Sequence, residues 1–151
     1  MAKNEFVRFQ RGNFVVRDID KALTFYRDVL GLELAFVKDS PPDSYSYEVF
    51  EIDTSIPLRF AVLSAPDQPR VLALTEVPAE LDTMPMPRRS AIVVEVGNVD
   101  AVVDGARAAG CHVYDEDELV THDGRVGREV GIADTDGNLT VIYHIPPAAE
   151  S

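Results

Sequence analysis

The sequence has very little cysteine, little positive charge and no long apolar run. Cys111 is its single cysteine, so a disulfide within the chain is excluded. Lys and Arg number 14 against 26 acidic residues, which gives a formal charge of −12. This charge argues against nucleic acid or an anionic membrane as a partner, because both attract clustered basic residues. No apolar run reaches the roughly 20 residues that span a bilayer. Because residues 1–11 do not resemble a signal peptide, we expect a cytoplasmic protein.

One short pattern occurs twice in the chain. In each copy an alternating strand pattern leads into a helix-capping residue, Asp18 in the first copy and Asn98 in the second. The copies open at Arg11 and Ala91, and both pairs of positions are 80 residues apart. The constant spacing predicts two similar modules. With 151 residues and 46% hydrophobic content, the modules can share one core.

The pattern predicts the order strand, helix and three strands for each module. A helix is expected from the cap at Asp18 to Gly31, and another from Asn98 to Gly110. The first half contains one strand more than this order needs, and a proline-rich linker is expected at 78–89. The expected strands are 5–17, 32–37, 45–52, 58–63 and 71–77, then 91–96, 111–114, 126–133 and 139–145.

Two stretches carry a resemblance to a known family. Residues 18–32, DIDKALTFYRDVLGL, and the turn 134–139, DTDGNL, resemble the vicinal oxygen chelate superfamily. This superfamily includes glyoxalase I, bleomycin and fosfomycin resistance proteins, methylmalonyl-CoA epimerase and extradiol dioxygenases. The resemblance implies an α+β fold of two tandem βαβββ modules, at about 5–77 and 90–146. It further implies that they form a curled mixed sheet around one cup with helices outside, commonly in a homodimer.

The positions of the metal ligands are where the sequence departs from this family. Metal-using members place a His seven residues before the capping residue, and these positions are Arg11 and Ala91 here. They place a Glu or His on each closing strand, and the matching positions are Ala73 and Val141. A guanidinium cannot coordinate a metal, and Ala and Val have no donor atom. We therefore predict no metal site and no cofactor.

Strand alternation identifies the residues expected to face the cup. If Phe14 packs against the helix, its neighbours Asn13 and Val15 face the cup. The resulting set is mostly apolar with a few polar groups, as in small-molecule sites. The predicted ligand-binding residues are Arg11, Asn13, Val15, Arg59, Thr75, Val93, Glu95, Leu139, Val141 and Tyr143.

Arg11 and Glu95 each have two interpretations. Arg11 can bind an anionic group of a ligand, or it can form an internal ion pair with Glu95. Glu95 can act as a proton-transfer base, or it can serve only to neutralise Arg11. Glu95 and Tyr143 are the two candidate catalytic residues.

The histidines and the cysteine show no catalytic or metal-binding pattern. His122, His144 and Glu129 lack a recognised ligand spacing. Cys111 and His112 are strand neighbours and therefore point to opposite faces, which argues against a nucleophile and base pair. Cys111 is expected to be a small buried residue.

Two classes of function follow. The first is a glyoxalase-like or bleomycin-resistance-like protein that binds a small, partly apolar molecule, which can be anionic, in a metal-free cup. The second is an enzyme of the same superfamily, a lyase, isomerase or dioxygenase, that uses acid and base residues or a relocated metal. In both cases we expect a small-molecule ligand and a homodimer.

The departures from the ligand pattern generate a prediction about metal content. Protein purified without chelator should contain no stoichiometric metal, because Arg11, Ala73, Ala91 and Val141 cannot act as ligands. Elemental analysis, with titrations of zinc, nickel, manganese and ferrous ions, measures this. Stoichiometric binding of any of these ions would contradict it.

Overall fold

The N-terminal half of the chain folds into a four-stranded mixed sheet, sheet A, in the computed structural model, which describes residues 6, 8–78 and 87–148. Its elements are β1 (Gly12–Val16), α1 (Ile19–Tyr26), β2 (Glu33–Asp39), α2 (Ser46–Val49), β3 (Arg59–Ala65) and β4 (Gln68–Glu76). The strand order is β1-β4-β3-β2, and only the β1 and β4 pair is parallel.

The C-terminal half forms a second mixed sheet, sheet B. Its elements are β5 (Ala91–Glu95), α3 (Val99–Ala108), β6 (His112–Val113), β7 (Asp117–Val120), β8 (Val126–Ala133) and β9 (Leu139–His144). The strand order is β5-β9-β8-β6, and β7 also pairs with β8. These two sheets confirm the α+β class. The curling of both sheets around one cup stays a prediction, as do the module boundaries.

Both long helices begin at the predicted capping residues. The Asp18 side chain accepts a hydrogen bond from the Lys21 N–H at 3.1 Å, and Asn98 accepts one from the Ala101 N–H at 3.0 Å. Each cap satisfies a backbone donor that has no partner inside the helix, which stabilises the helix by about 1 kcal/mol. Within the described ranges, no helix is long and apolar enough to cross a membrane.

The prediction of a strand at residues 45–52 is wrong. This segment contains the one-turn helix α2, whose Tyr47 is buried against Leu58 and Val77. The physical reason lies in the strand pairing, because Asp39 of β2 pairs directly with Arg59 of β3. No position is left between these strands for another one, so the connecting segment packs on the sheet instead.

Two other expectations differ from the structure. The first strand begins at Gly12 rather than near residue 5. The second half has β7, which was not predicted because its acidic stretch resembles a solvated strand end. Most of the expected linker, residues 79–86, lies outside the described residues.

The helix-covered faces of both sheets contribute to one hydrophobic core. Each fully buried aliphatic or aromatic side chain stabilises the fold by roughly 1.5–3 kcal/mol. The turn after α1 comes so close to α3 that a Cβ on Gly105 would lie 2.8 Å from a Val29 methyl group, which favours glycine there. The core includes Phe14, Leu23, Tyr26 and Leu72 from the first half, and Val102, Ile132 and Ile142 from the second.

Polar contacts also join the two halves. The buried Tyr26 hydroxyl donates to Asp134 Oδ2 at 2.6 Å. Asn138 Nδ2 donates to the Val15 carbonyl oxygen at 2.9 Å. Burial, followed by the charge of Asp134, raises the pKa of Tyr26 well above its ordinary value, so this hydroxyl keeps its proton. The turn at residues 134–138 therefore connects sheet B to both α1 and β1.

One buried hydroxyl generates a stability prediction. Thr140 is fully buried, and its Oγ1 has no hydrogen-bond partner among the described residues. Replacing Thr140 with Val keeps the shape and removes the unsatisfied group, so the free energy of unfolding should rise by about 1 kcal/mol. Urea denaturation measures this. Thr75→Val is the matched control and should destabilise, because Thr75 is also buried but is hydrogen-bonded to Asn13. Equal losses in both variants would contradict the interpretation.

Candidate functional site

Apart from Arg11 and Arg59, the candidate residues lie on the outer faces of the sheets, meaning the faces turned away from the shared core. In β1, Phe14 and Val16 are buried in the core, whereas Asn13 is exposed and Val15 is half-buried. In β5, Val93 is 66% exposed and Glu95 is also exposed. The alternation of β1 and β5 therefore agrees with the predicted register.

On sheet A, Asn13 and Thr75 form a polar pair. Asn13 Nδ2 lies 3.1 Å from Thr75 Oγ1, and Oγ1 lies 3.2 Å from Asn13 Oδ1. Thr75 is 4% exposed, so the hydroxyl fixes the orientation of an amide that reaches the surface. Such an amide can donate to or accept from a ligand.

Arg11 does not pair with Glu95 in the described part of the chain. Its Nε donates to the Arg70 carbonyl oxygen at 3.4 Å. The guanidinium thus lies beside the hairpin between β3 and β4. Its positive charge is left without a carboxylate partner there, and the structure favours neither an ion pair with Glu95 nor a contact to the sheet B residues.

Arg59 lies away from the other candidate residues. It shares the core-side register of Ala61 and Leu63, and its Nε binds Glu76 Oε1 at 2.8 Å. Glu76 Oε2 also accepts from the Ile19 N–H at 2.7 Å. The hydrogen bond from Arg59 holds the pKa of Glu76 below its ordinary value. Arg59 therefore ties β3 and β4 to the start of α1.

Sheet B brings the two candidate catalytic residues side by side. Glu95 of β5 is the register partner of Tyr143 on β9, and Tyr143 is in turn the partner of Glu129 on β8. Cross-strand partners share a face with Cβ atoms about 4.5–5.5 Å apart. The outer face of sheet B therefore presents a row of two carboxylates flanking a phenol.

A groove of about 710 Å³ opens at the exposed edge of β5. One wall carries Val93, Glu95 and Tyr143, and the other is formed by Phe9 and the β3–β4 hairpin. A second groove, of about 660 Å³, lies on the other side of Phe9 and is lined by Arg8 and Arg70. The first groove has mostly apolar walls with two titratable groups, the usual composition of a small-molecule site.

The positions that hold a metal in the superfamily do not fit one here. Ala73 lies opposite Asn13 in the sheet, and Val141 lies opposite Val93. Neither side chain has a donor atom, and the same is true of Ala91. Across residues 8–78 and 87–148, no group of three or more His, Cys, Asp or Glu side chains is arranged to hold a metal ion.

His144 and His112 contact other protein groups, and Cys111 is half-buried rather than fully buried as expected. His144 Nδ1 lies 3.0 Å from the Val96 carbonyl oxygen, and the His112 ring packs edge-on against Tyr114 at 4.5 Å between centroids. Burial raises the pKa of the Cys111 thiol to about 11, which keeps it protonated and unreactive at neutral pH.

Sequence reasoning missed three residues on the outer face of sheet A. Phe36 and Phe60 form an edge-to-face pair with ring centroids 5.9 Å apart. Lys38 Nζ lies 5.5 Å from both centroids. Alternation places Phe36 on the same face as Leu34, but a bulge between them turns Phe36 to the outer face. The sequence contains no turn residue that signals this bulge.

Comparisons with known proteins give one consistent result. The family model of the Glyoxalase/Bleomycin resistance protein/Dioxygenase superfamily matches residues 8–142. A glyoxalase family protein from Bacillus cereus has a similar structure, with a TM-score of 0.73 at 20% identity over 97% of this chain and 99% of that one. Among curated proteins, none matches the sequence.

Two further solved structures share the fold. An antibiotic-binding protein from Streptomyces has a TM-score of 0.57 at 20% identity, covering 95% of this chain and 100% of its own. A fosfomycin resistance protein from Listeria monocytogenes has a TM-score of 0.57 at 14% identity, covering 92% and 93%. At identities this low, the structural similarity establishes a common fold and leaves the identity of the ligand open.

Proposed function

Because the chain belongs to the glyoxalase/bleomycin resistance protein/dioxygenase superfamily, we propose that it binds a small, partly apolar molecule in the groove beside β5 without a metal ion. The observation that carries this proposal is the groove of about 710 Å³ beside β5. Small-molecule sites have volumes of roughly 300–1,000 Å³ and combine apolar walls with few polar groups. Val93 supplies an apolar wall here, and Glu95 and Tyr143 supply the polar groups.

The metal-free part of the proposal rests on the side chains at the four ligand positions. Arg11, Ala73, Ala91 and Val141 provide no coordinating atom. A ligand must therefore be held by hydrogen bonds, apolar contact and charge. The Streptomyces protein is named as an antibiotic-binding protein and the Listeria protein as a fosfomycin resistance protein, so antibiotics belong in the search for the ligand.

A second candidate function is proton-transfer catalysis. The observation that favours it is the register pairing of Glu95 with Tyr143. A carboxylate and a phenol on one face can serve as base and acid on a bound molecule. An enzyme of this kind would convert its ligand, whereas a binding protein would release it unchanged.

Ligand binding is tested with matched variants. A metabolite and antibiotic library is screened by thermal shift, since a ligand of the folded state raises the melting temperature. For hits that bind the groove, Glu95→Gln and Tyr143→Phe should each raise the Kd about tenfold, because each removes one polar contact worth about 1.4 kcal/mol. Calorimetry measures the Kd. Glu48→Gln and Tyr45→Phe, at exposed positions in and beside α2, are the controls and should leave it unchanged.

The same experiment separates the two functions. Conversion of a hit by the wild type that is lost in Glu95→Gln would favour the enzyme. The binding proposal fails if no compound raises the melting temperature, or if Glu95→Gln and Tyr143→Phe bind every hit as the wild type does.

We also propose that the protein is a homodimer. Val93 is 66% exposed, and β5 pairs through its backbone with β9 alone in the described chain. An open strand edge with an exposed apolar side chain favours association with another chain. A second copy over this edge would bury Val93 and enclose the groove.

The dimer prediction has a matched control. Val93→Asp should shift the mass in solution from dimer to monomer, because it would bury a carboxylate at the contact. Val120→Asp alters a valine of similar exposure, 62%, on β7 and should leave the dimer intact. Light scattering after size-exclusion chromatography measures the mass. A monomeric wild type, or equal dissociation in both variants, would contradict the prediction.

A further inference from the structure

Two rows of side chains cross the outer face of sheet A. Strand register places one row through Lys38, Phe60, Thr75 and Val15. The adjacent row runs through Phe36, Val62, Ala73 and Asn13. The middle of this face is therefore apolar and aromatic. The polar groups within these two rows are Lys38 on β2 and the Asn13–Thr75 pair near the opposite edge.

The bulge in β2 creates the aromatic part of this face. Leu34 pairs with Leu63 on the core side, and the register shifts before Phe36 pairs with Val62 on the outer side. Both phenylalanine rings are only half-buried, although the neighbouring Val62 is 2% exposed. Two large apolar rings are thus held in a fixed edge-to-face arrangement on a well-packed base. The rings offer apolar surface to a ligand, and because they lie on the outer face they are not part of the packing of the core.

Lys38 is a cation without a counter-ion in the described chain. Its ammonium lies over the two rings, and its neighbour Asp39 lies in the opposite register, opposite Arg59. In a chain of formal charge −12, the long-range field repels anions. An anion would therefore bind where a local cation and an apolar surface act together.

We propose that the outer face of sheet A binds a planar aromatic anion, whose ring packs against the edge-to-face pair of Phe36 and Phe60 and whose charged group pairs with Lys38. This inference rests on the proposed small-molecule binding and names the ligand class and a second contact surface. Strands lie about 4.8 Å apart, so the Lys38 strand is about 10 Å from the Thr75 strand and about 14 Å from the Asn13 strand. A ligand of about three rings covers most of the distance to the Thr75 strand, and a polar substituent at its far end can point toward the Asn13 amide.

The location is tested with a tryptophan reporter, because the natural chain contains no tryptophan. Phe60→Trp keeps an aromatic ring at the proposed site, and its fluorescence should be quenched when anilinonaphthalene sulfonate, a planar aromatic anion, is added. Phe9→Trp places the reporter in the groove beside β5, at a position where the wild-type side chain is 85% exposed. The fluorescence of Phe9→Trp should change less than that of Phe60→Trp, and only at a higher probe concentration.

The charge is tested with a neutral probe of the same ring system, phenylnaphthylamine. Lys38→Met keeps the apolar stem and removes the cation, so the Kd of the sulfonate should rise about tenfold and that of the amine less than twofold. Lys21→Met, which removes an exposed lysine from α1, is the control and should change neither Kd. Near-ultraviolet circular dichroism confirms that each variant keeps its tertiary packing.

The outcomes also separate this inference from the proposed function. It is overturned if Phe9→Trp is quenched in place of Phe60→Trp, if Lys38→Met weakens both probes equally, or if the wild type shows no saturable binding of the sulfonate. None of these results affects the Glu95 and Tyr143 test. Conversely, library hits insensitive to Glu95 and Tyr143 would leave the sheet A site standing.

Discussion

The structure depends on one shared core between two sheets. Helix-side residues of both halves, such as Phe14 and Ile132, belong to a single buried cluster. The Tyr26 hydrogen bond to Asp134 and the Asn138 hydrogen bond to Val15 connect the halves at its margin. Because each strand alternates, burying one face in this core turns the other face outward. Every candidate binding residue except Arg11 and Arg59 owes its position to that alternation.

Much of the fold, and the outward register of the candidate residues, could be predicted from local sequence patterns. The caps Asp18 and Asn98 have short side chains that accept from the first turn, and the helices begin there. Strand periodicity in 126–133 and 139–145 was strong enough to identify β8 and β9 within a residue. The outward register of Asn13 followed from the apolar character of Phe14. These features depend on residues that are close in sequence, so a local sequence pattern is enough to predict them.

The features that could not be predicted depend on contacts between residues that are distant in sequence. The segment around Tyr47 has strand-like composition, yet it is helical because β2 and β3 leave no vacant edge. Arg59 was expected near the ligand, but its carboxylate partner Glu76 lies across the sheet on the core side. Phe36 reaches the outer face only through a bulge. Pairing and bulges are determined by the whole sheet, and the sequence pattern of one strand does not reveal them.

The two outer faces also differ in charge, and this decides where an anionic ligand can lie. Sheet B presents Glu95 and Glu129 on either side of Tyr143, so a negative group placed there would be close to two carboxylates. Sheet A presents Lys38 beside two aromatic rings. Like charges repel most strongly where water is excluded. An anionic group is therefore better placed on sheet A, whereas the sheet B row suits neutral or cationic groups.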